Sequence, residues 1–598
     1  MNQRARYKLK RGKIVIKHCK PICPNLLRNV NALNFTIIFE YVLPRERGRR
    51  PDVIILADAT IFVLEFKDYY LPAQAHIDQV SAYVRDIANY HAASHDHSVY
   101  PFLILTQANS YFEIVEDVTI CSADLIDQAF TNTPIIQQNP IDTLNWINAD
   151  YSPLPTLVAA ARSIFQHDAL PYIKSAQSAG IPNTIANLVV IGRKAHSTNT
   201  HHLALVTGVP GAGKTLVGLQ FVYDNHFGDK DAQRTAVFLS GNGPLVKVLQ
   251  HALKSSVFVQ DVHGFLKQYG GQSKFIPDEH IFVFDEAQRA WDAERVLEKR
   301  GHSSSEPEDF LQIGEKKRWS MMIGLIGDGQ EIHLGEESGL SQWNIAISKM
   351  KNKWTVHCPS HVSSIFPAAD SVETDETLNL TASLRSYLAS DVQEWIKSIL
   401  AGELEFAAKL IKNMYKQDFN VYATQNHKAA YAYVRLRYSG QVEKRYGLLA
   451  SSKAKNLSAY DIHNEFQWTQ NLREGPWYND APSSPKSCCQ LRDVATEFSC
   501  QGLELDFPIV VWGDDLRWET DRWVSPAVSS RNKARDPHQL RINSYRVLLS
   551  RGRDGMIIFV PPIPQMMNTY MALRKAGIKE LNVDKLTSSF ANESNTID

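Results

Sequence analysis

The chain has 598 residues, with 64 Lys and Arg balanced by 64 Asp and Glu. That length leaves room for three or four domains, and 44% hydrophobic with 21% charged residues is a globular composition, neither disordered nor collagenous. No run approaches the 18 apolar residues of a membrane span, no secretory hydrophobic segment is present, and seven scattered cysteines fit a reducing, cytoplasmic setting. The neutral total conceals basic clusters. Residues 1–20 carry eight Lys and Arg and no acid; Arg45, Arg47, Arg49 and Arg50 follow, and Arg531, Lys533, Arg535 and Arg541 form a third group. Such clusters suit contact with phosphates.

In chain order, the first chemical signal is a hairpin. Residues 50–56 read Arg-Pro-Asp-Val-Ile-Ile-Leu, a strand that opens on Asp52. After the turn at 57–60, residues 61–67 read Ile-Phe-Val-Leu-Glu-Phe-Lys. Side chains two apart on a strand share a face, so Glu65 and Lys67 point together, and a hairpin brings Asp52 beside them. Two carboxylates and a lysine suit metal-dependent phosphodiester cleavage. Asp52 and Glu65 would hold Mg²⁺ or Mn²⁺ and Lys67 would position or stabilise the activated water. Residues 76–83 predict a helix with Gln79 and Tyr83 one turn apart on one face, and residues 100–106 a further strand.

This set, including the literal Pro51-Asp52, resembles the PD-(D/E)xK nuclease superfamily, and Gln79-x-x-x-Tyr83 resembles an accessory motif of its RecB-like branch. That family often carries an acid on its first helix. Residues 24–33 have none, and Glu40 is the substitute the sequence offers.

The second signal begins at an apolar strand, 202–207, which runs into Gly208-Val-Pro-Gly211-Ala-Gly213-Lys214-Thr215. This matches G-x-x-x-x-G-K-[ST], with a helix expected after it. Gly208, Gly211 and Gly213 let backbone N–H groups turn toward phosphate oxygens, Lys214 supplies charge at the β/γ-phosphates, and the Thr215 hydroxyl can ligate Mg²⁺. A second buried strand, 281–284, ends in Asp285-Glu286-Ala287-Gln288, 71 positions after Lys214. Asp285 is placed to hold Mg²⁺, Glu286 to polarise the attacking water, and Gln288 to touch nucleotide.

The D-E-x-Q tetrad resembles superfamily 1 helicases, and later segments match in order. Gly327-Asp328-Gly329-Gln330 resembles the motif whose Gln330 would sense the γ-phosphate. Residues 378–385 would supply Arg385 to the nucleotide. Residues 496–504 resemble T-x-x-x-x-x-G-L-E, implying strand phosphates at Thr496 and ribose at Glu504. Residues 544–551 resemble the last motif, with Arg551 as arginine finger. The wording Asp-Glu-Ala-Gln-Arg and Tyr-Arg-Val-Leu-Leu-Ser-Arg-Gly-Arg is most similar to the Schlafen-type subgroup.

The expected architecture is therefore α/β. A PD-(D/E)xK nuclease fold (1–130) and a linker (131–175) precede a RecA-like parallel α/β domain (176–350). A crossover (351–377), a second RecA-like domain (378–575) and a tail (576–598) complete it. The gaps between motifs hold no large inserted domain, which implies a reduced motor. The resemblance implies an ATP- and Mg²⁺-dependent helicase or translocase joined to a nuclease. It would act on nucleic acid, DNA before RNA, in phage defence or DNA repair, alone or with a protein partner or second copy. An ATP-gated nuclease without unwinding, and a nucleic-acid sensor with an inactive nuclease fold, remain open on the same residues.

Overall fold

The computed structural model describes residues 35–44, 46, 48–136, 140–153, 156–165, 180–208, 212–227, 236–271, 273–327, 339–380, 389–526 and 536–581. In the N-terminal domain, β1 (Thr36–Phe39), β2 (Val53–Ala57) and β3 (Thr60–Lys67) pair antiparallel. Helix α1 (Gln74–Tyr90) then crosses over to β4 (Ser98–Leu105), which runs parallel to β3. The hairpin of β5 (Phe112–Val115) and β6 (Val118–Ser122) completes a six-stranded sheet of order β1-β2-β3-β4-β6-β5. Strand alternation divides its apolar residues between two cores. Val53, Ile55, Phe62 and Leu64 lie in one, and Ile54, Leu56, Ile61 and Val63 lie against Ile77 and Val80 of α1 in the other.

The expected linker is partly a component of this domain. The helix Thr143–Asn148 buries Trp146 completely, and its indole Nε1 donates to Ser94 Oγ at 2.9 Å. One large ring outweighs the polar, proline-bearing composition that suggested a connector. Farther on, Leu157–Phe165 buries Val158, Ala161 and Ile164 in the core of the next domain.

That domain is a parallel sheet of order β13-β12-β7-β11-β10-β8-β9. In chain order its elements are β7 (His201–Gly208), α2 (Lys214–Phe227), β8 (Ala236–Ser240), α3 (Gly243–Leu253) and β9 (Val259–Asp261). β10 (Ile281–Asp285), β11 (Ser320–Leu325), β12 (Trp354–Cys358) and β13 (Ser371–Thr374) follow. The expected crossover thus contributes two strands to the sheet. The short strand β14 (Asn379–Leu380) pairs with Thr207 and Gly208 at the end of β7, so the segment expected to open the last domain closes this one.

The C-terminal domain is a second parallel sheet, order β17-β16-β18-β21-β15-β22. It runs through β15 (Asn420–Thr424), α4 (His427–Arg437), β16 (Leu448–Ala450), α5 (Phe466–Thr469), α6 (Glu474–Asn479) and β17 (Val494–Thr496). Next come β18 (Ile509–Val511), the hairpin β19 (Arg517–Glu519) and β20 (Arg522–Val524), α7 (Pro537–Leu549), β21 (Gly555–Phe559) and β22 (Lys579–Glu580). β22 pairs with β15, so the sheet extends into the expected tail.

The two parallel-sheet domains touch where α3 packs on α6. Lys247 pairs with Glu474 at 3.0 Å, and Asn479 Nδ2 donates to the Val248 carbonyl at 3.0 Å. A second contact requires glycine. Gly502 has φ +71°, and a Cβ there would lie 2.2 Å from Asn242 Nδ2 of the facing domain.

Candidate functional site

Two constellations of titratable side chains lie at strand ends. In the N-terminal domain, Asp52 stands just before β2 and Glu65 near the end of β3, with 2% and 0% of their surface exposed. The Asp52 carboxylate accepts the Phe66 N–H at 2.9 Å, and Glu65 Oε2 lies 3.4 Å from the Asp52 N–H. Lys67 Nζ donates to Glu65 Oε1 at 3.0 Å and to Gln79 Oε1 at 2.9 Å. The Gln79 amide donates to Glu65 Oε1 at 3.3 Å and reaches Tyr83 Oη at 3.4 Å. All five expected residues therefore meet, and α1 holds two of them against the hairpin.

Burial is the largest influence on the Tyr83 phenol and, with the Glu65 carboxylate, pushes its pKa well above the usual value; Arg49 works against this. Arg49 lies 4.9 Å from the Tyr83 ring centroid. The sequence grouped Arg49 and Arg50 with phosphate-tracking cations, and the structure corrects this. Arg49 is buried and paired with Asp86 and Glu46, and Arg50 pairs with Glu40 at 2.5 Å. The Glu40 side chain is thus turned to Arg50, while its backbone N–H donates to the Asp52 carbonyl at 2.9 Å. Arg45, Arg47 and residues 1–20 lie outside the described residues.

Among the described residues no group of three or more His, Cys, Asp or Glu side chains is arranged to hold a metal. Asp52 and Glu65 nonetheless present two converging carboxylates, the hard oxygen donors that Mg²⁺ or Mn²⁺ takes.

The other face of α1 is bonded to the C-terminal domain. Asp78, 2% exposed, accepts from Tyr422 Oη at 2.8 Å, from Tyr433 Oη and from Arg437 at 3.4 Å. Arg85 reaches Asp554 at 3.2 Å, and Lys444 reaches Asp554 at 3.1 Å. Burial alone would raise the Asp554 carboxyl, but Lys444, Arg85, Arg437 and Arg49 together hold it well below the carboxylate range.

At the second constellation, β7 delivers Gly208 and α2 begins at Lys214. Gly208 is needed for close packing, since a Cβ there would lie 2.6 Å from the Leu380 carbonyl of β14. Lys214 Nζ donates to the Gly208 carbonyl at 2.6 Å, and Thr215 Oγ1 donates to Asp285 Oδ1 at 3.1 Å. Burial, then the neighbouring Glu286, pushes the Asp285 carboxyl up to about 7, while Thr215 and Lys214 partly offset this. Adjacent hydroxyl and carboxylate oxygens fit a Mg²⁺ ion accompanying a nucleotide.

Glu286 takes a left-handed backbone, φ 58°. Gln288, expected to touch nucleotide, donates to Glu286 Oε2 at 2.5 Å, and its Oε1 accepts the Gly327 N–H at 3.1 Å. It holds the Glu286 carboxylate in place. Gly211, Gln330 and Arg385 lie outside the described residues. A cleft of about 160 Å³ opens beside Glu286, lined in part by Asn242, His263, Arg289, Trp291 and Gln501.

The last two motifs both lie in the C-terminal domain. Arg551, expected to reach across the cleft, is 5% exposed and bonded inside its own domain. Nε donates to the Val547 carbonyl at 2.8 Å, Nη1 to the Leu503 carbonyl at 3.2 Å and Nη2 to Ser550 Oγ at 2.6 Å. Each guanidinium nitrogen already has an acceptor, so in this conformation it ties α7 to the 502–504 turn. Glu504 lies 3.8 Å from Arg553. Thr496 is buried with its N–H on Ser499 Oγ at 2.8 Å. Arg541, read as a phosphate contact, bonds Ser451 and Asp515 at 3.0 Å each; Arg531, Lys533 and Arg535 lie outside the described residues.

A family model described as "Schlafen group 3, DNA/RNA helicase domain" matches residues 201–562, from the start of β7 to beyond β21. The chain belongs to this Schlafen group 3 helicase family. A helicase domain implies ATP hydrolysis, and Lys214, Thr215, Asp285 and Glu286 all fall within the match. The N-terminal domain lies outside it. No curated protein matches the chain. Among solved structures, "The structure of PRRSV helicase" is similar at 12% identity, covering 71% of each chain with TM-score 0.21. "Crystal structure of Bacteroides sp Pif1 in complex with ADP-AlF4" is similar at 10% identity, covering 69% of this chain and 97% of that one with TM-score 0.28. Both likenesses are loose.

The sequence missed two residues that bond to this constellation. Ser240, at the end of β8, lies 3.5 Å from Asp285 Oδ2; its position at a strand end was the available signal. Gln501, with its amide oxygen turned to Arg289, accepts at 2.8 and 3.2 Å and links the tetrad to the later motif. Such a bond between helicase segments over 200 positions apart leaves no local trace.

Proposed function

We propose that the chain is an ATP-driven helicase or translocase whose N-terminal domain is a metal-dependent nuclease, acting on DNA before RNA. The observation that supports the nuclease is the convergence of Asp52, Glu65, Lys67, Gln79 and Tyr83 in one bonded cluster.

Asp52 and Glu65 would hold Mg²⁺ or Mn²⁺, which supplies water activated for attack on phosphorus. Lys67 places positive charge where the phosphorane gathers negative charge. Gln79 fixes the lysine and the Glu65 carboxylate together, and Tyr83, kept protonated, steadies Gln79. In the motor, Lys214 neutralises the β/γ-phosphates, Thr215 and Asp285 would hold the nucleotide's Mg²⁺, and Glu286, braced by Gln288, orients the attacking water. Cytoplasmic phage defence or DNA repair would use such an activity.

Labelled single- and double-stranded DNA and RNA, incubated with Mg²⁺ with and without ATP, test this. Cleavage that Glu65→Ala abolishes and ATP accelerates is expected. Cleavage by Glu65→Ala at the parent rate would remove the nuclease. Cleavage wholly dependent on ATP, without strand displacement, would favour an ATP-gated nuclease. A parent that binds nucleic acid and cuts none of it would favour the sensor.

A further inference from the structure

Helix α1 serves two partners. Gln79 and Tyr83 bond within the Asp52–Glu65–Lys67 cluster, while Asp78 and Arg85 bond the C-terminal domain. These four residues span about two turns of one helix, so they move together. Arg85 Nη2 donates to Asp554 Oδ1 at 3.2 Å and Nη1 to the Asp418 carbonyl at 3.5 Å. Asp554 ends the loop between α7 and β21, soon after the segment read as the last helicase motif. Within its own domain, Arg85 Nε donates to Asp86 Oδ1 at 2.8 Å. Asp86 also pairs with Arg49, which lies over the Tyr83 ring.

The loop that holds Asp554 is laced to residues 505–506. The Leu505 N–H donates to the Arg551 carbonyl, the Arg553 N–H to the Leu505 carbonyl and the Asp554 N–H to the Asp506 carbonyl, each at 2.9 Å. Lys444 Nζ bridges Asp506 at 2.9 Å and Asp554 at 3.1 Å. The loop is tightly seated, since a Cβ on Gly555 would strike the Asn420 carbonyl of β15. Gln501, a few residues before Leu505, bonds Arg289, whose N–H donates to the Glu286 carbonyl at 2.9 Å. A continuous bonded path therefore runs from the Glu286 turn, through 501–506 and 551–554, to Arg85 and α1. It crosses between the two parallel-sheet domains at Gln501, so a change in their packing enters the path there. Packed elements of this kind shift between discrete arrangements. The Arg85–Asp554 pair is mostly buried, at 18% and 12% exposure. Such a pair adds little net stability, and its directional bonds suit it to setting register.

We propose that Arg85 and Asp554 are positioning residues that carry the motor's nucleotide state to the nuclease. Closure of the two motor domains on ATP moves 501–506 and the 551–554 loop bonded to it. Arg85 passes that movement along α1 to Gln79 and Tyr83, and so to Lys67 and Glu65. The coupling rests on the reading of the chain as an ATP-driven motor joined to a nuclease, and assigns the route by which ATP accelerates cleavage.

The test uses the full chain, labelled single-stranded DNA and Mg²⁺, with ATP, with ADP and without nucleotide; phosphate release is read on the same samples. Arg85→Met keeps the aliphatic stem and removes the charge. It should hydrolyse ATP, and cut without nucleotide, at the parent rates. Its acceleration of cleavage by ATP should fall about 5-fold or more, the low end of coupling between sites. Arg85→Lys should restore part of the acceleration. Lys579→Ala removes a different ion pair of the same join, with Glu116, and should keep all of it. Full acceleration in Arg85→Met overturns the coupling, and so does an equal loss in Lys579→Ala, which would make docking alone sufficient. Amide hydrogen exchange on the parent gives a second reading that needs no variant. ADP with aluminium fluoride should change protection in residues 79–86 as well as at the phosphate loop, and a change at the phosphate loop alone overturns the coupling. A parent whose cleavage ignores ATP overturns the coupling and leaves the nuclease standing. A parent that cuts nothing overturns both.

Discussion

The two constellations use the same side chains, a lysine beside carboxylates, but are built in opposite ways. Asp52, Glu65, Lys67, Gln79 and Tyr83 come from one hairpin and the helix that follows, and their hydrogen bonds close on each other. The residues of the second constellation arrive from the ends of separate strands: Gly208 from β7, Ser240 from β8 and Asp285 from β10. Gln501, on the facing domain, bonds Arg289, and both line the cleft beside Asp285 and Glu286. A locally assembled site depends on the register of one hairpin. A distributed site depends on the packing of two domains, and so can respond to their movement.

The largest effects should come from removing each lysine or carboxylate in turn. Lys214→Ala should lower ATP hydrolysis by about 10²–10³-fold, the cost of losing one preorganised charge donor. Glu65→Ala should lower cleavage by about 10²-fold or more and leave ATPase intact. Phosphate release and a cleavage gel on both variants check this, and loss of ATPase in Glu65→Ala would erase the contrast between the sites.

Gln79→Ala should be milder, lowering cleavage by roughly 10- to 100-fold, since it positions Lys67 and Glu65 without touching substrate. Gln79→Glu should not restore activity, because a carboxylate cannot donate to Glu65. Parent-like cleavage by either variant would mean that the lysine needs no brace.

A third experiment addresses the join between the regions. Asp78→Ala leaves Arg437 buried, at 1% exposure, without its carboxylate. Stability should fall by about 3–5 kcal/mol, as when one partner of a buried pair is removed. Urea unfolding followed by fluorescence measures it, and a parent-like midpoint would show that the N-terminal domain stands apart from the motor.

The smallest effect is on pH dependence. The Asp86 and Asp554 carboxyls are both held below their usual range; burial opposes this, and Arg85 and Arg49 outweigh it at Asp86. Depressed carboxyls contribute stability that is fully present above their unfolded pKa and lost as pH falls through the lower folded values. The join should therefore survive mild acid and loosen only below the ordinary carboxylate range. Limited proteolysis across a pH series would show this, and Asp554→Asn should flatten the response.

Much of this protein was legible in its residues alone. The phosphate loop, the Asp-Glu-Ala-Gln tetrad and the Asp52–Glu65–Lys67 hairpin are local patterns. Strand alternation and short turns place such side chains without help from distant residues. The parallel sheets followed from apolar runs alternating with helices. Tertiary packing decided the rest. It placed β12 and β13 in the first of the two parallel sheets from a segment without clear periodicity, and buried Trp146 from an apparent linker. It turned Arg49 and Arg541 from apparent phosphate contacts into ion pairs. In each case a charge or ring has more than one stable setting, and the partner that selects among them lies far away in the chain.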